Sequence, residues 1–319
     1  IGGNIQLAPG STGIVRTLAI GADQPGAAAN NAGMVYLDGG ISDGPGGSGN
    51  HFMKNGVGTL FFTGNNTYTG TTTIQQGLIG INADSDWGLT TGNINSPGGG
   101  IAIWENSFTT AKNYSAHGGN LHVDVAGGLT LTQDAASVID GTSSIVKRGL
   151  GTLILNGENA VTGLFAGDGI LQFNSLISTA NSVSTGNYSI GGDVTLGGAN
   201  NGTRYTGGTM RFNFTGTTTR TFIFNNNGNT NFAGGIDVTA GNTLTAGGII
   251  SQGSELDYGF KTGTGTLITT AANTWRGVAM INGVLQFGNS TPWANSTGTA
   301  ADNTFVDMMG GTIRAINTG

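Results

Sequence analysis

Cysteine is absent from this 319-residue chain, which rules out disulfides, thiol chemistry and any cysteine zinc site. Charge is scarce too, at 9% of residues against about 25% in an ordinary soluble domain. The net charge is −6, with 11 Lys and Arg. So thin a scatter of cations argues against a nucleic-acid partner, which needs them clustered. Histidine occurs 3 times and proline 5 times. No stretch reaches the roughly 18 apolar residues of a membrane-spanning helix, and no sustained 3.6-residue apolar stripe marks an amphipathic one.

What fills the chain is glycine, 61 residues, together with threonine and dispersed Val, Ile and Leu. Gly is normally about 7% of a protein. Low charge with many β-branched residues is the reverse of a disordered composition, and Gly and Thr are poor helix material. The chain is therefore expected to fold, and to fold as all-β.

A stretch recurs. "KNGVGTLFFTGNNTYTGTTTIQQG" begins at Lys54, "KRGLGTLILNGENAVTGLFAGDG" at Lys147 and "KTGTGTLITTAANTWRGVAMING" at Lys261. Each opens K-x-G-x-G-T-L. The motif residues are Lys54, Gly56, Gly58, Gly64, Gly70 and Gly77 in the first copy. They are Lys147, Gly149, Gly151, Gly157, Gly163 and Gly169 in the second, and Lys261, Gly263, Gly265, Gly277 and Gly283 in the third. A second landmark appears as "GGNIQL", "GGIAIW", "GGTMRF" and "GGTIRA", beginning at Gly2, Gly99, Gly207 and Gly310. These landmarks keep one order and divide the chain into units of about one hundred residues: 3–99, 100–207, 208–310 and the start of a fourth at 311–319.

Blocks such as "TLFFT" and "TLILN" are β-prone and about five residues long, roughly 17 Å each. A glycine about every six residues supplies a corner, where positive φ or close backbone approach costs little. About three strands close one coil, and the next stacks on it at ~4.8 Å. The expected fold is one continuous parallel β-solenoid over 1–319, an elongated rod of about fifteen coils. Leu60, Leu153 and Leu267 are expected to point inward, as are Leu78, Ile170 and Val284. An array of immunoglobulin-like sandwiches would space its strands more widely. Collagen would need glycine strictly at every third residue.

"KNGVGTLFFTGNNTYTGTTTIQQGLIGIN" resembles the autotransporter-associated β-strand repeat of Gram-negative passenger regions. The second copy keeps the register but has Ala160 and Val161 where the pattern has Thr-Tyr, and the third has Ala271 and Trp275. The resemblance implies a right-handed parallel β-helix, secretion through an outer-membrane barrel, and display at the cell surface. It names a scaffold and no activity.

The remaining candidates are weak. His117 and His122 straddle a Gly pair, with Asp124 and Asp134 as the nearest further metal donors; a structural reading is preferred. Asp84 and Asp86 in "NADSDWG" read as a turn, because "NSTPWAN" fills the matching place two units on. Trp87 and Trp293 recur in register and read as packed knobs. The three lysines are expected to cover corners or bond turn carbonyls. "FNNNGNTNF" at 224–232 invites an asparagine-ladder reading. The segment 174–208 lengthens the second unit, and its Tyr188, Arg204 and Tyr205 form the best candidate contact surface.

No catalytic, metal or cofactor constellation recurs, so no cofactor is expected and the reading is a non-enzymatic structural segment of a surface-displayed protein. Adhesion to glycans or to other proteins is the alternative. A polysaccharide-degrading β-helix would need carboxylates converging on one face, and the 17 Asp and Glu are scattered. The chain opens on "IGGNIQL", like the middle of a larger protein, and neither end has a charged or proline-rich cap. Its first expected partner is therefore itself, as further repeats or end-to-end copies stacked into a filament.

Overall fold

The computed structural model describes residues 2–7, 15–19, 33–89, 93–157, 159–175, 188–190, 207–224, 234–252, 259–274, 277–289 and 305–315. The chain divides into two compact units, one built mainly from Ile1–Leu153 and the other mainly from Arg204–Gly319. Residues 157–162 belong with the first, and Leu164–Ala166 and Ile170–Phe173 with the second.

In the first unit one sheet holds Val15–Ala19, His51–Asn55, Thr72–Ile74, Ile94–Asn95, Tyr114–Ser115, Ile139–Asp140 and Asn159–Ala160. A second holds Met34–Leu37, Thr59–Phe62, Leu78–Ile81, Gly100–Ile103, Leu121–Val125 and Ile145–Arg148. From Phe108–Thr110 onward a third face appears, paired with Thr130–Gln133. These pairings are parallel. Thr59 lies beside Leu78, and Leu78 beside Gly100, so one coil is about twenty residues, as the glycine spacing predicts. Before the third face begins, this part of the coil holds the short parallel pair Ile5–Gln6 with Ile41–Ser42, then irregular chain and the short 3₁₀ turn Asp84–Trp87. No α-helix occurs among the described residues.

The second unit repeats the plan. Ile170–Phe173, Gly208–Phe212, Gly234–Val238, Gly259–Thr262, Gly277–Met280 and Phe305–Met308 form one sheet. Gly216–Thr218, Thr243–Ala246, Thr266–Thr269, Val284–Phe287 and Thr312–Ala315 form another. Leu164–Ala166, Tyr188–Ile190, Phe222–Phe224 and Ile250–Gln252 make the third. Both units are stacks of parallel β-coils. The longest step, Ile170 to Thr209, spans most of the segment that lengthens the second sequence unit.

Period-2 alternation decides which side chains enter the coil. Leu60, Ile79, Ile101 and Val123 are register neighbours and form one buried row of the first unit. Leu244, Leu267 and Leu285 form one in the second. Each such side chain contributes about 1.5–3 kcal/mol by leaving water. Leu60, Leu153 and Leu267 point inward as expected. Leu78, Ile170 and Val284 do not: they are half-buried, and the next residues, Ile79, Leu171 and Leu285, fill the core. Each of these strands follows a glycine of positive φ, Gly77, Gly169 or Gly283, and a one-residue shift in alternation exchanges the two faces.

The sequence period is not a whole number of coils. Lys54 lies on the first sheet of its unit, in His51–Asn55, whereas Lys147 lies on the second, in Ile145–Arg148. The repeat is a local device that the coil carries on whichever face it falls.

Candidate functional site

Each repeat covers its own first strand pair with its second. Lys54 lies beside Ile74 and Thr59 beside Leu78; in the third copy Lys261 lies beside Met280 and Thr266 beside Val284. The lysine occupies an inward position of its strand, and Lys54, Lys147 and Lys261 are each 0% exposed. Lys54 Nζ donates to the carbonyls of Asn55 (3.1 Å), Gly56 (2.6 Å) and Gln76 (3.0 Å). Lys261 Nζ donates to those of Thr262 (2.6 Å), Gly263 (2.9 Å) and Asn282 (3.3 Å). Lys147 Nζ donates to Arg148 O and to Gly149 O.

The corner geometry explains this. At Gly77 and Gly283 φ is +67° and +77°, a conformation that turns neighbouring carbonyls into the coil. Buried carbonyls need donors. An ammonium has three, and it serves two stacked corners at once. A Cβ at Gly77 would lie 2.3 Å from Gly58 O and 2.8 Å from Lys54 Nζ. Burial pulls the ammonium groups of Lys54 and Lys261 down to about 8, and the charge of Asp237 partly opposes this at Lys261. The lysines therefore bond turn carbonyls, as the sequence suggested, but from inside the coil.

A second inter-coil bond escaped the sequence reading. Asn66, Asn159 and Asn273 are buried, and their Oδ1 atoms accept from the backbone N–H of Ile41 (2.8 Å), Ile139 (3.0 Å) and Ile250 (2.8 Å) one coil earlier. Asn159 also pairs with Gln133 through both amide atoms. The signal was present in the sequence: each copy has Asn in the same place, two residues after Gly64, Gly157 or Ala271. Each repeat thus reaches backward with its asparagine, and the first and third reach forward with their lysine.

Gly64 and Gly157 are needed for space, not for positive φ. A Cβ at Gly64 would lie 2.6 Å from Asp38 O, and one at Gly157 1.9 Å from Ser137 O.

The remaining candidates separate. His122 is 1% exposed, and burial, with the charge of Arg148 second, lowers its imidazole to about 3. His117 is exposed. Among the described residues no three His, Asp or Glu side chains converge on a metal position. Asp86 accepts from the N–H groups of Asn82 (2.7 Å) and Ala83 (3.1 Å) inside the 3₁₀ turn. Asp84 accepts from Thr110 Oγ1 at 2.6 Å. The turn reading holds for both. Trp87 is buried against Phe62 and Tyr114. Trp293, Arg204, Tyr205 and most of the asparagine-rich 224–232 stretch lie outside the described residues, and of Tyr188 only its strand is described.

The first unit's second sheet carries an outward aromatic cluster that the sequence reading did not pick out. Tyr36, Phe61, Gly80 and Ala102 are register neighbours on four successive coils. The rings of Tyr36 and Phe61 stack at 4.7 Å with 14° between their planes. Trp104 meets Phe61 edge-on at 4.7 Å and Tyr36 at 5.6 Å. Gly80 makes this possible, since a Cβ there would lie 2.1 Å from Phe61 Cδ1. The cluster is open to solvent at Tyr36, 42% exposed, and at Met34, 66%. Polar side chains flank it: Thr63 Oγ1 donates to Asp38 at 2.7 Å, and Asn82 Nδ2 to Glu105 at 2.9 Å.

Stacked parallel coils closed by lysine-filled glycine corners define a repeat-built β-helical scaffold. The passenger-associated-transport-repeat family matches the chain at residues 53–79, 145–173 and 260–286, the three copies described above. Three repeats of this kind, with the autotransporter relative that follows, imply display at the surface of a Gram-negative bacterium. It is 34% identical over 107 residues to a curated protein of Brucella suis biovar 1 (strain 1330) named adhesin BmaC autotransporter. That alignment covers 34% of this chain and 3% of the relative, so the chain corresponds to a small part of that protein's length. No solved structure matches the chain.

Proposed function

We propose that this segment is a non-enzymatic structural part of a surface passenger, whose work is to hold the polypeptide out from the cell in a stacked β-helical form. One observation carries the reading: the residues that recur in all three copies, the lysine, the corner glycines and the asparagine, are buried or packed between coils and bond backbone. A repeat whose recurring chemistry is spent internally serves the scaffold. Export through an outer-membrane barrel, encoded with the passenger or associated with it, belongs to the same reading. Antibodies raised against the chain should label intact cells of the source organism. Labelling only after permeabilisation would contradict surface display.

Adhesion is a second reading, favoured by the outward cluster of Tyr36, Phe61 and Trp104 and by the Brucella relative being named an adhesin. Under it the scaffold is unchanged and the contacts lie on its outer faces.

A further inference from the structure

We infer that the outward face formed by Tyr36, Phe61 and Trp104 is a binding site for a neutral glycan. The inference deepens the adhesion reading and is independent of display, since binding is a property of the isolated chain.

Other outward apolar residues of this unit, such as Val57, Leu89 and Leu150, stand singly, whereas an outward group of stacked aromatic rings has to be explained. Here three aromatic rings from three coils gather over a fourth coil that contributes Gly80. Packing the core does not require them: the inward row at this level is already filled by Leu60, Ile79 and Ile101. The arrangement costs Trp104 a hydrogen bond, since its indole Nε1 is covered and has no acceptor among the described residues. The four coils from Tyr36 to Ala102 span about 14 Å at ~4.8 Å each, room for a short run of sugar rings.

The chemistry around the rings selects the occupant. The C–H face of a pyranose packs on an aromatic ring, while its hydroxyls need acceptors and donors at the edge. Asp38 and Glu105 provide exposed carboxylates, each with one oxygen engaged by a neighbour, Thr63 or Asn82. The other oxygens are placed to accept from hydroxyls. Two carboxylates with no Lys or Arg on Met34–Leu37, Thr59–Phe62, Leu78–Ile81 or Gly100–Ile103 disfavour an acidic polysaccharide. A purely apolar peptide would leave the carboxylates desolvated and unpaired. A neutral, hydroxyl-rich chain satisfies both the rings and the rim.

The test is an array of neutral gluco-, manno- and galacto-oligosaccharides, probed with the full chain alongside heparin, hyaluronan and an apolar peptide. At least one neutral oligosaccharide should bind, and its free form should compete. Tyr36→Ala and Trp104→Ala should each weaken binding about tenfold or more. Should Trp104→Ala fail to fold, Tyr36→Ala and the double variant Asp38→Asn/Glu105→Gln still read the site, each with an unchanged melting profile. Met308→Ala, exposed in the other unit, should bind as the parent does. No neutral binder, preference for the acidic glycans or the peptide, or binding indifferent to Tyr36 and the rim would each overturn the inference. None of these outcomes would disturb surface display.

Discussion

Lys54 carries its charge into the coil because its compact ammonium brings three donors to carbonyls that two glycine corners turn inward. Replacing it with Met keeps the length and removes the donors. Unsatisfied buried carbonyls cost about 1–3 kcal/mol each, so Lys54→Met and Lys261→Met should each destabilise by about 3 kcal/mol or more in chemical denaturation. A loss under about 0.5 kcal/mol would show that water replaces the ammonium and that the corner does not depend on it. His122 gives a pH-dependent counterpart. Its imidazole is neutral down to about 3 when folded and takes a proton near 6.5 when unfolded. The unfolded chain therefore binds the extra proton between those values, so the contribution is fully present above pH 6.5 and lost as pH falls towards 3. The slope approaches about 1.4 kcal/mol per pH unit for one proton. His122→Gln should flatten the acid side of the stability profile relative to the parent, and two parallel profiles would contradict the buried neutral imidazole.

Among the elements, the strand after each repeat's last glycine decides its face by one residue. Leu78 is half-buried and Ile79 is 0% exposed. Leu78→Thr should change stability by less than about 1 kcal/mol, whereas Ile79→Thr should cost about 2–4 kcal/mol, since it removes packing and buries a hydroxyl. Equal costs would mean that the register is wrong. Glycine spacing and the Thr-Leu blocks made strands, corners and parallel stacking legible in the sequence, because both act within a few residues. The face of Leu78, Ile170 and Val284 was not legible, since it depends on how many residues a left-handed corner consumes. Asn66, Asn159 and Asn273 were legible in principle as a recurring polar position, but their partners, Ile41, Ile139 and Ile250, are set only by coil length. The aromatic cluster could not be read at all. Tyr36, Phe61 and Trp104 share no motif and meet only because four coils of unequal length bring their register together.

For the whole molecule, the three repeats fall on whichever face the coil has reached, as Lys54 and Lys147 do within one unit. A pattern indifferent to face suits a part that stacks coils, and suits poorly a site that must gather residues at one place. Such a chain exposes its corners: Leu150, beside the Lys147 corner, is 71% exposed, and Leu89, after the 3₁₀ turn, is 65% exposed. The most direct measurement of the displayed-scaffold account is protease shaving of intact cells, with the released peptides identified by mass spectrometry. The account predicts peptides from this chain among those released, cut first at exposed corners such as Leu150, while the outer membrane stays sealed to a periplasmic marker. Finding them only once the periplasmic marker is also degraded would contradict it.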